Sequence, residues 1–89
     1  MMHTPLLDQR TIIVTGAATG IGQAFAVQCA SQGANVVVAD MNAADETVAA
    51  VEAAGGKALA VKVDVADQGS VDAMAAAAVA RFGRIDGLI

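Results

Sequence analysis

Three features of the sequence are of types and spacings that could do chemistry together. Thr15-Gly16-Ala17-Ala18-Thr19-Gly20-Ile21-Gly22 is a glycine-rich stretch placed between an apolar run and an alanine-rich one. Asp40 ends a second apolar run, near the distance of about 20 residues at which a carboxylate meets the adenosine ribose of a dinucleotide. Asp64, followed by Val65, ends a third. Glycines permit a tight turn, positive φ and close backbone approach. A helix opening on such a turn offers unpaired N–H groups and the positive end of its dipole to a pyrophosphate. Asp40 could then accept hydrogen bonds from ribose hydroxyls, Asp64 from an adenine amino group, and Val65 could pack on the ring. The plainer alternative is that the glycines serve only helix-on-strand packing and the two acids merely end strands.

Spacing separates the rival nucleotide sites. A P-loop needs four residues between its glycines and then a lysine. Here three intervene between Gly16 and Gly20, Gln23 occupies the nearby helix, and no Lys or Arg occurs from 11 to 56. A triphosphate would find no cation there. A methyltransferase would also place an acid after its second strand, but its G-x-G-x-G loop is missing. The standard G-x-G-x-x-G is absent too, because Phe25 stands where the third glycine would fall.

The elements that must position these residues follow from periodicity. Thr11-Ile12-Ile13-Val14-Thr15 reads as a strand buried on both faces. Residues 21–32 follow helical spacing, with Ile21, Ala24, Phe25, Gln28 and Cys29 along one face and Gly33 just past the end. Val36-Val37-Val38-Ala39 is a second buried run. Asn42 is placed to cap a helix over 43–54 with Ala44, Val48 and Val51 on its inner face, and Gly55-Gly56 stops it. Residues 58–63 predict a third strand with Leu59, Val61 and Val63 on one side. Asp67 is an N-cap candidate for a helix whose apolar positions are Val71, Met74, Ala75, Ala78, Val79 and Phe82. Gly83 ends it, and residues 85–89 begin a fourth strand. The order β-α-β-α-β-α-β predicts an α/β fold with a parallel sheet and right-handed crossovers.

Composition narrows the partners. The chain of 89 residues is 56% hydrophobic, 16% charged and 2% aromatic, with a formal net charge of -4. Its few basic residues, Arg10, Lys57, Lys62, Arg81 and Arg84, are scattered, so no patch for nucleic acid is expected. No apolar run approaches the roughly 20 residues of a membrane span. The opening Met1-Met2-His3-Thr4-Pro5 lacks the plan of a secretory signal, and a cytoplasmic location is expected. The single cysteine, Cys29, reads as a small buried thiol, and His3 as a residue of a frayed terminus. No metal site is expected.

The motif Thr15-Gly16-x-x-x-Gly20-Ile21-Gly22 resembles the T-G-x-x-x-G-[IL]-G signature of the short-chain dehydrogenase/reductase family. Asp40, the Asp64-Val65 pair and the closing Phe82-Gly83-Arg84-Ile85-Asp86-Gly87-Leu88-Ile89 resemble that family's pattern in order and spacing, over residues 10–89. The resemblance implies a Rossmann-type, doubly wound parallel sheet ordered 3-2-1-4 and a bound nicotinamide dinucleotide. It implies that Gly16, Thr19, Gly20, Ile21 and Gly22 line the pyrophosphate, that Asp40 and Met41 flank the adenosine ribose, and that Asp64 and Val65 flank adenine. Asp40 would repel the 2′-phosphate of NADP, and neither Thr19 nor Met41 is the basic residue that NADP-using members tend to carry, so NAD is the expected cofactor. The implied reaction is hydride transfer between nicotinamide and a secondary alcohol or ketone, in a protein expected to be a homo-oligomer when complete.

The same resemblance places the chemistry elsewhere. An Asn-Asn-Ala-Gly segment is expected after Ile89, followed by a Ser and a Tyr-x-x-x-Lys pair, the tyrosine acting as general acid/base. The sequence holds no Tyr, and Ser31 and Ser70 fall on helices, so no residue in it is expected to be catalytic. Residues 1–89 are accordingly expected to be the N-terminal cofactor-binding half of one domain, an incomplete sheet with a flexible lead-in over 1–9. The alternatives are a non-catalytic dinucleotide-binding module and, less in keeping with the glycine spacing, a methyltransferase-like domain.

Overall fold

The computed structural model describes residues 6–89. The elements are β1 (Thr11–Thr15), α1 (Gly20–Ser31), β2 (Asn35–Asp40), α2 (Asp45–Ala53), β3 (Lys57–Lys62), α3 (Gln68–Phe82) and β4 (Gly87–Leu88). The strands form one sheet in the order β3-β2-β1-β4, and every pair is parallel. This is the Rossmann-type α/β arrangement expected from the alternation of short apolar runs and helical stretches. Register is set by β2, which pairs along its length with β3 from Asn35↔Lys57 to Asp40↔Lys62.

Two cores sandwich the sheet. On one face Ile12, Val14, Val36 and Val38 meet Ala26, Cys29 and Ala30 of α1 and Val51 of α2. On the other, Ile13, Val37, Ala39 and Val63 meet Met74 and Ala78 of α3, with Leu59, Val61, Val71 and Phe82 packed around them. Alternate residues of β1 and β2 serve opposite cores, which is why these strands read as unbroken apolar runs. Small residues set the spacing of the first core. A Cβ added at Gly56, in the turn after α2, would stand 2.7 Å from the Ala30 Cβ and 2.8 Å from the Ala34 carbonyl oxygen.

Helix ends follow the sequence at several points. Asp67 accepts from the Gly69 N–H at 3.0 Å and caps α3, which closes on Gly83 in the left-handed region at φ 81°. Gly33 and Gly55 take the same left-handed conformation after α1 and α2. Three local readings are corrected. Asn42 does not cap α2; its N–H donates to Asp40 Oδ1 at 2.9 Å, and the helix begins after Ala44 with no side-chain cap. The inner face of α1 is Ala26, Cys29 and Ala30, whereas Ile21 is 89% exposed and Phe25 41%. Only small side chains allow α1 to lie so close to the sheet, so the bulky ones turn outward. The regular part of β4 is Gly87–Leu88 rather than 85–89, although the Asp86 and Ile89 N–H groups also donate to β1, to the carbonyls of Thr11 and Ile13, each at 2.8 Å.

His3 and the rest of residues 1–5 lie outside the described residues. Residues 6–9 form a turn in which the Leu7 N–H donates to the Gln32 carbonyl at 2.9 Å and Leu7 packs on the first core.

Candidate functional site

The C-terminal ends of β1, β2 and β3 converge on the glycine-rich turn. Gly16 and Gly20 adopt φ 65° and 61°, a region that L side chains rarely enter, and this reverses the chain between β1 and α1. Gly22 is required for a different reason: a Cβ there would collide with the Gly16 carbonyl, 2.7 Å from its carbon. The first turn of α1 therefore lies directly against the strand end. Gly20, Ile21 and Gly22 have no acceptor one turn back, and their N–H groups mark the positive end of the helix. No acidic side chain stands in that first turn to neutralise it. Thr19 precedes it in extended backbone, and its side chain makes no capping bond.

Asp40 ties this turn to β2. Its Oδ2 accepts from the Ala18 N–H and its Oδ1 from the Asn42 N–H, both at 2.9 Å. Those two bonds, Asn42 first, hold the carboxyl below its ordinary pKa, so it is ionised at neutral pH. Among the described residues it has no ion-pair partner. The carboxylate lines a cleft of about 240 Å³ with Gly16, Met41, Asn42, Val63 and Val65. Met41 and Val65, both of which line it, are 58% and 65% exposed.

Of the residues singled out by sequence, Gly16, Asp40, Met41 and Val65 thus share one cleft. Thr19, Gly20, Ile21 and Gly22 stand beside it at the head of α1. Asp64 is placed differently. Its Oδ1 accepts from the Ala66 N–H at 3.0 Å, its own N–H donates to Ser70 Oγ at 2.9 Å, and it is not among the cleft-lining residues.

A further residue of the site was not singled out. Thr47 is fully buried on α2, and its hydroxyl donates to the Ala17 carbonyl at 2.7 Å. The Ala18 carbonyl lies at 3.3 Å, and Gln23 Nε2 donates back to Thr47 Oγ1 at 3.0 Å. A polar residue at 47 interrupts the apolar stripe of Ala44, Val48 and Val51, which is the signal that could have marked it.

The opposite end of the sheet carries a cluster of another kind. Asp86 accepts from the Thr11 N–H at 2.8 Å and, through both oxygens, from Arg84 at 2.6 and 2.8 Å. Arg10 reaches it at 3.4 Å. The Arg84 guanidinium and the Thr11 N–H hold its carboxyl at a pKa of about 2. Among the described residues, no three His, Cys, Asp or Glu cluster to hold a metal ion, and no helix is long and apolar enough to cross a membrane.

Fold and cleft define a Rossmann-type α/β unit with an acidic, glycine-edged crevice at the carboxyl ends of its strands, where ligands of open α/β sheets bind. The short chain dehydrogenase family model matches residues 10–89, and the chain belongs to that family. It is 42% identical over 87 residues to L-rhamnose 1-dehydrogenase (NAD(P)(+)) of Sphingomonas sp. (strain SKA58), covering 94% of this chain and 34% of that enzyme. It is 38% identical over 85 residues to 7alpha-hydroxysteroid dehydrogenase of Escherichia coli (strain K12), covering 93% and 33%. The crystal structure of hydroxysteroid dehydrogenase from Escherichia coli superposes with a TM-score of 0.88 over 92% of this chain and 36% of that one, at 38% identity. The chain spans about a third of the length of the curated relatives it matches.

Proposed function

We propose that this chain is the cofactor-binding part of an oxidoreductase that uses NAD in preference to NADP and acts on a secondary alcohol or ketone. The observation that carries the reading is Asp40, an ionised carboxylate anchored by two backbone N–H groups on the rim of a cleft edged by Gly16. Its remaining acceptor capacity suits the two free hydroxyls of an adenosine ribose. A 2′-phosphate in the same place would meet a negative charge with no cation paired to it. Gly20, Ile21 and Gly22 would hold the pyrophosphate through their N–H groups, and Met41 and Val65 would enclose the adenosine. Gly22 admits the close backbone approach that this requires. When bound, the nicotinamide supplies the hydride acceptor or donor. This chain contributes binding and orientation, and the general acid/base belongs to residues outside it.

Two findings support the class of substrate and cofactor. The relatives are dehydrogenases of a sugar and of a hydroxysteroid, and the first is named for NAD(P)(+). We further propose a cytoplasmic, homo-oligomeric enzyme. The test is a titration of the full-length protein carrying this chain with NAD and NADP. Tighter binding of NAD supports the reading; tighter binding of NADP overturns the cofactor assignment, and binding of neither overturns the site. The alternative of a non-catalytic dinucleotide module would show the same binding with no turnover of any secondary alcohol in a broad screen.

A further inference from the structure

Three backbone groups of the glycine-rich turn are bonded by other elements, and for two of them the partner is a side chain. The Ala17 N–H donates to the Ala39 carbonyl at 3.1 Å, and the Ala18 N–H to Asp40. The Ala17 carbonyl is taken by the hydroxyl of Thr47, from a helix that begins only after the next strand has ended. A hydroxyl has one proton, and at 2.7 Å against 3.3 Å it goes to Ala17 rather than to Ala18. Gln23, in the first turn of α1, donates to the same oxygen and fixes the direction in which that proton points. The two alanines sit between glycines at φ 65° and 61°, positions of high backbone freedom. Without the hydroxyl, the Ala17 carbonyl would be left buried and unpaired, and rotation of its peptide would be the local way to recover a partner.

We propose that Thr47 is a positioning residue of the dinucleotide site, its hydroxyl fixing the Ala17 peptide so that α1 presents the N–H groups of Gly20, Ile21 and Gly22 at a constant distance from Asp40. Thr47 touches no ligand; it acts through the turn. The inference rests on the dinucleotide reading above. It sets α2, otherwise a covering helix, as the second support of the crevice, the first being the carboxylate of β2. A turn bonded on its inner side before the ligand arrives loses little freedom on binding.

The test compares ligands with and without a pyrophosphate on the full-length protein. Wild type, Thr47→Val and Thr47→Ser are titrated with ADP-ribose and, by competition, with adenosine. Thr47→Val is expected to weaken ADP-ribose about five- to tenfold, the size of one lost buried hydrogen bond, while adenosine changes less than about twofold. Thr47→Ser, which keeps the hydroxyl, is expected to restore ADP-ribose binding. A Thr47→Val protein that binds both ligands as wild type does, or loses both equally, overturns the proposal, since the second pattern is that of a purely structural residue. If Thr47→Val does not fold, Gln23→Met decides: it removes the donor that aims the hydroxyl and should weaken ADP-ribose selectively by about two- to threefold. No selective loss in Gln23→Met then overturns it. Wild-type protein that binds neither ADP-ribose nor NAD overturns the underlying dinucleotide reading instead.

Discussion

The two ends of the sheet each carry a prominent aspartate, and they are bonded in opposite ways. Asp86, at the end where β1 starts, is saturated: a bidentate Arg84, the Thr11 N–H and a more distant Arg10 leave it little capacity for anything else. Asp40, at the end where β2 finishes, accepts from two neutral N–H groups and lines a cleft. Both carboxyls are held below the ordinary aspartate range. Only the charge of Asp40 is left uncompensated. A lowered pKa alone therefore does not separate a strap from a ligand site. The chemistry of the donors does: cations use up the charge, whereas backbone amides orient it and leave it to act on a ligand.

If this contrast is right, substitutions at the crevice end should change binding and those at the base should change folding. The largest effect is expected from Gly22→Ala. Its methyl collides with the Gly16 carbonyl, so the turn and the first N–H groups of α1 must move apart, and NAD affinity of the full-length protein should fall by about 100-fold or more. Next comes Asp40→Asn. It keeps a polar side chain but removes the charge, and should weaken NAD by about 10- to 50-fold while narrowing or reversing the preference over NADP. An unchanged NAD/NADP ratio in paired titrations would break the distinction drawn for Asp40. At the base, Asp86→Ala should lower the melting temperature by a few degrees and leave the NAD dissociation constant within about twofold. A selective loss of NAD binding in that variant would show that the two ends are not separable.

The smallest effect is a pH dependence. A carboxyl lowered to about 2 in the folded chain, against about 3.9 when unfolded, contributes stability that is fully present above the unfolded value. That contribution is lost as pH falls from about 4 toward about 2. Melting temperatures measured down this range should decline less steeply in Asp86→Asn than in wild type.

The architecture was legible because its signals are local. Strand runs of β-branched residues, the Asp67 cap, and glycines at 33 and 83 each declare a boundary within a few residues. The crevice was legible through the glycine spacing and Asp40, since both are sequence punctuation with a direct geometric meaning. Two things were not. Hydrophobic periodicity weights large side chains and so places Ile21, Ala24, Phe25, Gln28 and Cys29 on one face of α1, whereas close packing on the sheet selects Ala26 and Ala30 beside Cys29. Thr47 breaks an apolar stripe, but its bonding does not show in sequence because its partners, Ala17 and Gln23, lie far from it there. Only the folded crossover brings them within hydrogen-bond distance. Asp64 makes the same kind of loop bond as Asp40, to the Ala66 N–H, but does not line the cleft.

The fit of Gly56 against Ala30 bears on how this sequence can drift over generations. In most cores the damaging change is truncation, which opens a void. Here Ala26, Ala30 and Ala34 are already close to the smallest side chains available, and a methyl at Gly56 would need space that Ala30 and the Ala34 carbonyl occupy. The tolerated direction is therefore closed on the large side. Enlargement at the contact between Gly56 and Ala30 is expected to cost more stability than exchange among small residues. An Ala30→Val or Gly56→Ala lineage would survive only with a compensating change across the same contact, so these two positions should vary together or not at all.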